Sequence, residues 1–244
     1  MQRNLHWFIG FVEGYGSFVI PKNKPPQFEI TQHIDEIHLL YKIKSFLKFG
    51  SVIKRKERSV AVYQVIGNYN SLFKLAHIFN GQLRCPKRGA QFKNWVTQLQ
   101  EYRTFDFVYN PKLLDVTLND AWLSGFTDAE GHFSSRLKPC KTSKLGQQLV
   151  LSYAISQKTP DILVKIKNCL TLDNQVMWDK SWNGYRISTQ SLKKQKIIVR
   201  YFNKFPLKTK KKINYLKYAN LMKDKINKLH TTEKGLNIVK KKNK

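Results

Sequence analysis

One carboxylate in this sequence, Glu130, occupies a position at which it could bind a metal ion. Glu130 closes the segment Leu123-Ser-Gly-Phe-Thr-Asp-Ala-Glu-Gly131, which is patterned as a helix that stops at its last glycine. A carboxylate there meets the negative end of the helix dipole, which is unfavourable by roughly a few tenths of a kcal/mol. A bound divalent cation reverses that sign, and carboxylate oxygens with water suit Mg²⁺, which promotes phosphodiester hydrolysis. The alternative is that Glu130 is a solvated residue at a helix end.

The segment around Glu130 is one of two copies. The stretch 122–133 repeats the stretch 7–18 at an offset of 115, with Trp, Gly, Phe, an acid, Gly and Phe at matching positions. Further on, Phe28-Glu-Ile-Thr-Gln32 matches Tyr153-Ala-Ile-Ser-Gln157 at an offset of 125. So many matches at nearly constant spacing indicate an internal duplication.

The elements that position these segments follow the same order in each copy. Apolar periodicity predicts a helix, two strands, a helix, two strands and two further helices in each half. This order predicts an α+β fold with a pseudo-twofold axis, built from two antiparallel sheets with helices on one face. We expect repeats at 1–101 and 119–230, a linker at 102–118, and a basic tail at 231–244 that is frayed at its end.

Small residues share one face of each motif helix, which we expect at 4–14 and 119–130. Gly10 and Gly14 lie four residues apart, as do Gly125 and Ala129. Small residues at this spacing let two helix backbones approach closely. We therefore expect the two motif helices to pack on each other at the centre; the alternative is a tight fit of each helix under its own sheet.

The two repeated segments resemble a known family. Phe8-Ile-Gly-Phe-Val-Glu-Gly-Tyr-Gly16 and Leu123-Ser-Gly-Phe-Thr-Asp-Ala-Glu-Gly131 are similar to the two motifs of a single-chain LAGLIDADG homing endonuclease or intron maturase, the first copy being degenerate. The resemblance implies two saddle-shaped sheets that grip DNA, with the motif helices at the interface. It also implies that the last motif acid of each half binds a divalent metal, for which we expect Mg²⁺. Those positions are Tyr15 and Glu130.

Tyr15 departs from that pattern. The tyrosine hydroxyl has an ordinary pKa near 10, so it is neutral at pH 7 and a poor ligand for a hard dication. Half of the implied metal-binding pair is therefore missing, and any metal site rests on Glu130. Glu13 and Asp128 match an earlier motif acid whose role in the family is chiefly structural.

The resemblance implies supporting catalytic residues as well. Gln32 and Gln157 match a position that orients metal-bound water; the alternative is a solvent-facing polar residue. Lys87 and Lys210 match a basic residue near the scissile phosphates; the alternative is general backbone binding. Because three lysines are adjacent at 210–212, that last match is uncertain by one position.

The charge of the chain points to a polyanionic partner. Lys and Arg number 44 against 16 Asp and Glu, a formal charge of +28, with +9 in residues 1–117 and +19 in residues 118–244. Such a charge favours nucleic acid, since neutralised phosphates release counterions. Trp182 and Tyr185 stand near a turn and are candidates to stack on unpaired bases, or else pack across strands. The other expected contacts are Lys22, Lys24, Lys54, Arg55, Lys56, Arg58, Arg136, Lys138, Lys141, Lys144, Lys180, Arg186, Lys211 and Lys212.

Two functions remain open at this stage. The first, which we favour because of Tyr15 and the charge, is a monomeric protein that binds structured RNA. That RNA is either organellar ribosomal RNA, with ribosomal proteins as further partners, or a group I intron served by a maturase. The second is a site-specific DNA endonuclease or nickase that uses Glu130. Lys outnumbers Arg 35 to 9, a ratio typical of AT-rich organelle genomes, which suggests a mitochondrial protein, and no apolar run is long enough to span a membrane.

Overall fold

The computed structural model describes residues 2–243, without the side chains of Lys56 and Asn243. Each half has the predicted order of elements. The first half comprises α1 (Gln2–Tyr15), β1 (Gly16–Val19), β2 (Gln27–His33), α2 (Ile37–Leu47), β3 (Ser51–Arg55), β4 (Val60–Val65), α3 (Tyr69–Phe79) and α4 (Pro86–Tyr102). The second comprises α5 (Trp122–Glu130), β5 (Gly131–Pro139), β6 (Gln147–Gln157), α6 (Asp161–Cys169), β7 (Met177–Asp179), β8 (Gly184–Thr189), α7 (Leu192–Lys204), α8 (Lys211–Ile226) and α9 (Glu233–Asn243).

Both halves form the same four-stranded antiparallel sheet. The strand orders are β1-β2-β4-β3 and β5-β6-β8-β7. Alternation along β2 turns Phe28 and Ile30 to the core, and alternation along β6 does the same for Tyr153 and Ile155. The helices cover that side of each sheet and leave the other side open, so the predicted α+β fold with helices on one face is confirmed.

The two motif helices, α1 and α5, pack backbone to backbone at the centre. A Cβ atom placed on Gly10 would lie 2.0 Å from the Trp122 carbonyl oxygen, and one placed on Gly125 would lie 1.9 Å from the Trp7 carbonyl oxygen. A Cβ on Gly14 would lie 2.2 Å from the Cβ of Ala129. The contact is thus reciprocal about the pseudo-twofold axis, as the spacing of small residues predicts.

The C-terminal segment differs from expectation. We expected a tail at 231–244, but Glu233–Asn243 forms helix α9, which packs against α8 and β5. Val239 is fully buried and Leu236 nearly so, and Lys242 forms an ion pair with Asp224 of α8 at 2.8 Å. The apolar residues at 236 and 239 stand three apart, on one helix face, but the lysines around them obscure that pattern in the sequence.

The connection between the halves runs along the first half. Residues 103–121 contain no helix or strand, yet Phe105 stacks on Phe73 with ring centroids 3.9 Å apart, and Phe107 is buried. Leu114 donates a backbone hydrogen bond to Leu83. Within residues 2–243, no helix combines the length and apolarity that a membrane crossing requires.

Candidate functional site

Each motif helix carries a buried acid that joins the two halves. Glu13 of α1 accepts hydrogen bonds from the backbone N–H groups of Arg84 and Cys85, just before α4, at 2.8 and 2.6 Å. It also accepts one from the indole Nε1–H of Trp122, on the opposite motif helix, at 2.5 Å. Burial raises the pKa of Glu13 to about 7, and these donors oppose that rise.

Asp128 of α5 does the same for the other half. It accepts from the backbone N–H groups of Lys208 and Thr209 at 2.7 and 3.1 Å, and from the Thr209 hydroxyl at 2.6 Å. The indole of Trp7, on α1, donates to it at 2.8 Å. Each acid therefore anchors the loop that leads into α4 or α8 of its own half and accepts a hydrogen bond from the tryptophan of the other half. Neither acid is available to a metal.

Replacing Glu13 by Gln tests this anchor. The amide NH₂ of Gln would face one of the three N–H donors, so at least one buried donor would lose its acceptor. We expect the free energy of unfolding to fall by about 1–3 kcal/mol, measured by chemical denaturation. Glu101→Gln is the matched control, since Glu101 is exposed on α4. Equal stability of the two variants would contradict the anchoring role.

The residues that end the two motif helices lie side by side but differ in chemistry. Tyr15 ends α1 with 42% of its surface exposed and its ring edge-on to Phe11. Burial raises the pKa of the Tyr15 hydroxyl, and the carboxylates of Glu130 and Glu36 raise it further, so Tyr15 stays neutral. Glu130 ends α5, and its Cγ would be 3.2 Å from a Cβ on Gly14. One half thus places a carboxylate at the centre, and the other half a phenol.

Two cations bind the carbonyl ends of the motif helices. Arg88 of α4 donates from Nε to the Glu13 carbonyl oxygen and from Nη2 to the Gly14 carbonyl oxygen, both at 2.8 Å. Lys211 of α8 donates from Nζ to the carbonyl oxygens of Ala129 and Thr127. Burial raises the pKa of Glu130, and Lys211, Arg88 and a hydrogen bond from Gln157 oppose that rise. Two positive groups therefore already lie near the one central carboxylate.

The structure places the two candidate glutamines at this centre. Gln157 contacts Glu130, and Gln32 is buried at the end of β2 with its amide donating to the Thr31 carbonyl oxygen. Both glutamines continue the core-facing side of their strands, which aims them at the motif-helix ends. The cations that contact the ends of the motif helices are Arg88 and Lys211, each one residue after the predicted Lys87 and Lys210.

Lys210 lies at a contact between the halves. Its Nζ is 2.9 Å from the Asp35 carboxylate, and its backbone N–H donates to Glu36 at 2.7 Å. Lys87 is exposed on the first turn of α4. Glu36 is a further carboxylate near Tyr15. It lies four residues after Gln32, outside the repeated segments, so the repeat did not indicate it.

The donor set suits a divalent cation on one side only. Mg²⁺ is commonly held by one or two carboxylates together with waters and substrate phosphates. Glu130 and Gln157 provide one carboxylate and one amide in contact. At Tyr15 the corresponding ligand is a neutral hydroxyl. Among the described residues, no three His, Cys, Asp or Glu side chains converge in a way that could hold a metal.

The open faces of the two sheets differ in charge. Strand alternation places Arg136, Lys138 and Arg186 on the open face of the second sheet. On the first sheet the open face includes Arg55 but also the acid Glu29. Exposed at strand ends, in loops or at helix starts are Lys22, Lys24, Lys54, Arg58, Lys141, Lys144, Lys180 and Lys212. The side chain of Lys56 lies outside the described residues.

Trp182 and Tyr185, the two aromatic residues near the turn, both make packing contacts. Tyr185 is half-buried against the core, and Trp182 covers Gly184 with the Lys158 ammonium 5.0 Å from its ring centroid. Tyr185 thus packs in the sheet, and Trp182 packs within the turn that joins β7 to β8. The exposed aromatic of this hairpin is Trp178, at 54% exposure. Trp178 is exposed because it lies on β7, a short strand at the edge of the sheet. The sequence alone does not show that β7 is an edge strand.

Comparisons with known proteins agree with this architecture. The sequence profile of the LAGLIDADG endonuclease family matches residues 8–98 and 123–222. The chain is 36% identical over 241 residues to a probable intron-encoded endonuclease 4 of Neurospora crassa, covering 96% of this chain but 43% of that protein. It is 33% identical over 136 residues to the intron-encoded RNA maturase bI4 of Saccharomyces cerevisiae, covering 54% of this chain and 20% of that one.

A solved structure shares the whole fold. I-SmaMI, bound to an uncleaved DNA target in the presence of calcium ions, superposes with a TM-score of 0.80 at 20% identity, covering 98% of this chain and 97% of that one. The two profile matches fall on the two halves that the repeat defines, and each includes one motif helix. With its paired motif helices and two open sheets, the chain belongs to the LAGLIDADG endonuclease family.

Proposed function

We propose that this protein binds structured RNA across its two open sheets and does not make double-strand breaks in DNA. The observation that carries the proposal is the asymmetric centre: a neutral Tyr15 stands beside Glu130 where the family pattern has two acids. Binding depends on the fold and its charge, whereas double-strand cleavage depends on both acids. The first can therefore persist without the second.

The surroundings of Glu130 support a weakened metal site. Arg88 and Lys211 lie close enough to oppose the burial effect on its pKa. With Tyr15 in place of a second motif acid, a dication bound by Glu130 would lie close to the positive groups of Arg88 and Lys211. A metal held by Glu130 and Gln157 would supply charge stabilisation for one phosphodiester. This leaves single-strand nicking of DNA as the second candidate function.

The choice of RNA over DNA draws on the relatives as well as on the centre. One relative is named an RNA maturase and others are named endonucleases, so the names of similar proteins include both activities. We favour a group I intron or organellar ribosomal RNA as the ligand, with ribosomal proteins as further partners in the latter case. A mitochondrial location is proposed on the same grounds. We further propose a monomer whose repeats occupy 1–101 and 119–230.

Copurification and competition test this proposal. Nucleic acid should be extracted from the protein purified at low salt, sequenced and transcribed again as a labelled probe. We expect RNA, and we expect that RNA to bind more tightly than a random-sequence DNA duplex of equal length. Recovery of a defined DNA duplex that outcompetes RNA would overturn the RNA proposal and favour the nickase.

Salt dependence measures which sheet carries the phosphate contacts. On a random 24-bp duplex, log K should fall linearly with log[salt] by about 0.9 per phosphate neutralised. Removing two cations from the open face of the second sheet, with Arg136→Ala and Lys138→Ala together, should reduce that slope by about 2. The pair Lys22→Ala and Lys24→Ala, in the β1–β2 loop of the less basic half, should reduce it less.

Two lysines on α9 provide the matched control. Lys240 and Lys241 are exposed on a helix that packs against α8 and the covered side of the second half. The pair Lys240→Ala and Lys241→Ala removes the same charge, but we expect the slope to stay within about 0.5 of the native value. A slope that follows total charge regardless of position would contradict binding on the open sheets.

A further inference from the structure

Most of the positive charge of the second half lies outside its sheet. Residues 131–189, which form the four strands, their loops and α6, contain 9 Lys or Arg and 3 Asp or Glu. Residues 190–244, which include α7, α8 and α9, contain 18 Lys or Arg and 2 Asp or Glu. The sheet that faces the proposed ligand therefore carries the smaller part of this charge.

Helix α7 gathers its exposed cations on one face. Lys193, Lys196, Arg200 and Lys204 are all exposed. At 100° per residue they fall within an arc of about 80°, and at 1.5 Å per residue they extend over about 16 Å of the helix axis. Helix α7 contains no acid, and none of the four forms an ion pair with a residue in the range 2–243. These four residues form the basic stripe of α7.

The basic stripe faces away from the open side of the second sheet. The opposite side of α7 packs on the covered side of that sheet, where the ring of Phe202 contacts those of Phe133 and Tyr153 at centroid distances of 5.4 and 5.8 Å. Gln195 on the same side donates from Nε2 to the Leu151 carbonyl oxygen at 2.7 Å. One straight duplex on the open sheets therefore cannot also contact the stripe.

The stripe is electrostatically unfavourable in the protein alone. Lys196 and Arg200 stand four residues apart, as do Arg200 and Lys204, and like charges at this spacing destabilise a helix. Lys193 lies in the first turn, where a cation meets the positive end of the helix dipole. A solvated helix face commonly alternates acids with bases at these spacings. A bound polyanion would neutralise the repulsion that α7 otherwise retains.

The matching helix of the first half has no such stripe. Helices α3 and α7 each follow the last strand of their sheet. The exposed residues of α3 are Asn70, Lys74 and His77, which include a single lysine. The basic stripe is therefore particular to the second half and does not follow from the duplicated fold.

The chemistry of the stripe favours a phosphate backbone over other polyanions. All residues of α7 are described, and the exposed ones are the four cations and Asn203, which are polar. A helix that lies on a membrane needs exposed apolar side chains that enter the bilayer. A protein interface needs an apolar or aromatic centre. A row of cations without such groups suits the regularly spaced phosphates of a nucleic acid.

We propose that the basic stripe of α7 binds the phosphate backbone of a second nucleic-acid segment while a first segment lies on the open sheets. The inference rests on the proposed binding of structured RNA and extends it. A folded RNA can place two of its helices on opposite sides of one protein, whereas a single straight duplex cannot. One protein molecule should therefore bind two separate short duplexes.

The number of short duplexes bound per protein tests this site. Native protein is titrated with an excess of a mixed-sequence 24-bp RNA duplex at low salt, and analytical ultracentrifugation measures the stoichiometry. We expect two steps, a tighter one on the open sheets and a weaker one on α7. Lys196→Ala together with Arg200→Ala should weaken the second step about tenfold, lower its salt slope by about 2, and change the first step less than about twofold.

Two matched variants separate position from charge. Lys240→Ala together with Lys241→Ala removes the same charge from α9 and should retain both steps. Lys196→Arg together with Arg200→Lys keeps both charges on the stripe and should retain both steps as well.

Lysine acetylation locates the second duplex. Lys193 and Lys204 should be protected from an acetylating reagent in the complex with two duplexes and should react in the complex with one. Lys240 should react in both complexes. Reaction of Lys193 and Lys204 in the complex with two duplexes would overturn the assignment to α7.

The remaining outcomes distinguish this inference from the proposed function. A single duplex per native protein, or a second step that Lys196→Ala with Arg200→Ala leaves unchanged, would overturn the second site and leave binding on the open sheets intact. Vesicles that contain phosphatidylglycerol provide a further probe. Vesicle binding that this double variant loses, with a single duplex per native protein, would identify a lipid site instead. Absence of both steps in the native protein would contradict the proposed function itself.

Discussion

With Mg²⁺, the native protein is expected to make no double-strand break at any site of a library of candidate DNA targets. Double-strand cleavage requires stabilised charge at two phosphates, and only one motif helix ends in a carboxylate. A metal at such a site contributes several kcal/mol, so the loss of one is expected to slow cleavage of the second strand by about a thousandfold or more. Gel analysis of nicked and linear plasmid library products measures both outcomes separately.

Variants at the two helix ends sharpen this test. Tyr15→Asp places a second carboxylate beside Glu130 and is expected to raise nicking or cleavage, if the native protein has any. Tyr15→Phe removes the hydroxyl without adding charge and serves as the control. Glu130→Gln should abolish any nicking by the native protein. Double-strand breaks by the native protein at a defined site would overturn the proposal that cleavage is disabled.

The largest expected effect on stability concerns the crossing of α1 and α5. A Cβ on Gly125 would lie 1.9 Å from the Trp7 carbonyl oxygen and 2.7 Å from the Phe11 nitrogen. Both are backbone atoms, so relief requires the two central helices to separate. We expect Gly125→Ala to lower the free energy of unfolding by about 3 kcal/mol or more, and the melting temperature by roughly 6–12 °C.

Gly89 provides a matched control within a helix. Its added Cβ would lie 3.0 Å from a terminal methyl carbon of Leu113, at the end of a flexible side chain. Alanine also favours helix over glycine by about 1 kcal/mol, so Gly89→Ala should be neutral within that amount. By the pseudo-symmetry, Gly10→Ala should match Gly125→Ala. A melting temperature for Gly125→Ala equal to that of Gly89→Ala would contradict the close packing.

The sequence predicted best the features that are present in both copies of the internal repeat. The repeat located both motif helices, the strand order within each half and the close contact at Gly10 and Gly125. Each of these predictions depended on positions that match between the copies, so an ambiguous pattern in one copy was clarified by the same segment of the other copy. Helix α9 has no counterpart in the first half, and lysines surround its apolar residues at 236 and 239, so the sequence pattern predicts a tail there.

The candidate site was predicted less completely, for geometric reasons. Lys211 reaches the end of α5 and Lys210 does not, because successive residues at a helix start point in directions about 100° apart. An alignment of the basic segments at the starts of α4 and α8 pairs Arg88 with Lys211. That pairing was the feature of the sequence that could have indicated their equivalent positions. The exposure of Trp178 and the packing of Trp182 depend on the three-residue edge strand β7 and the turn after it, which sequence patterns do not resolve.

The crossed hydrogen bonds of the motif helices have a consequence for how such a protein changes over evolutionary time. Trp7, Glu13, Trp122 and Asp128 form a reciprocal pair of hydrogen bonds, in which the tryptophan of each half donates to the buried acid of the other half. A substitution at any of these four residues removes a hydrogen bond that joins the two repeats, so the four positions cannot change independently during evolution. Tyr15 lies one turn or less beyond Glu13 and takes no part in these hydrogen bonds. A lineage can therefore discard an acid at position 15, and the chemistry that depends on it, while it inherits the architecture unchanged.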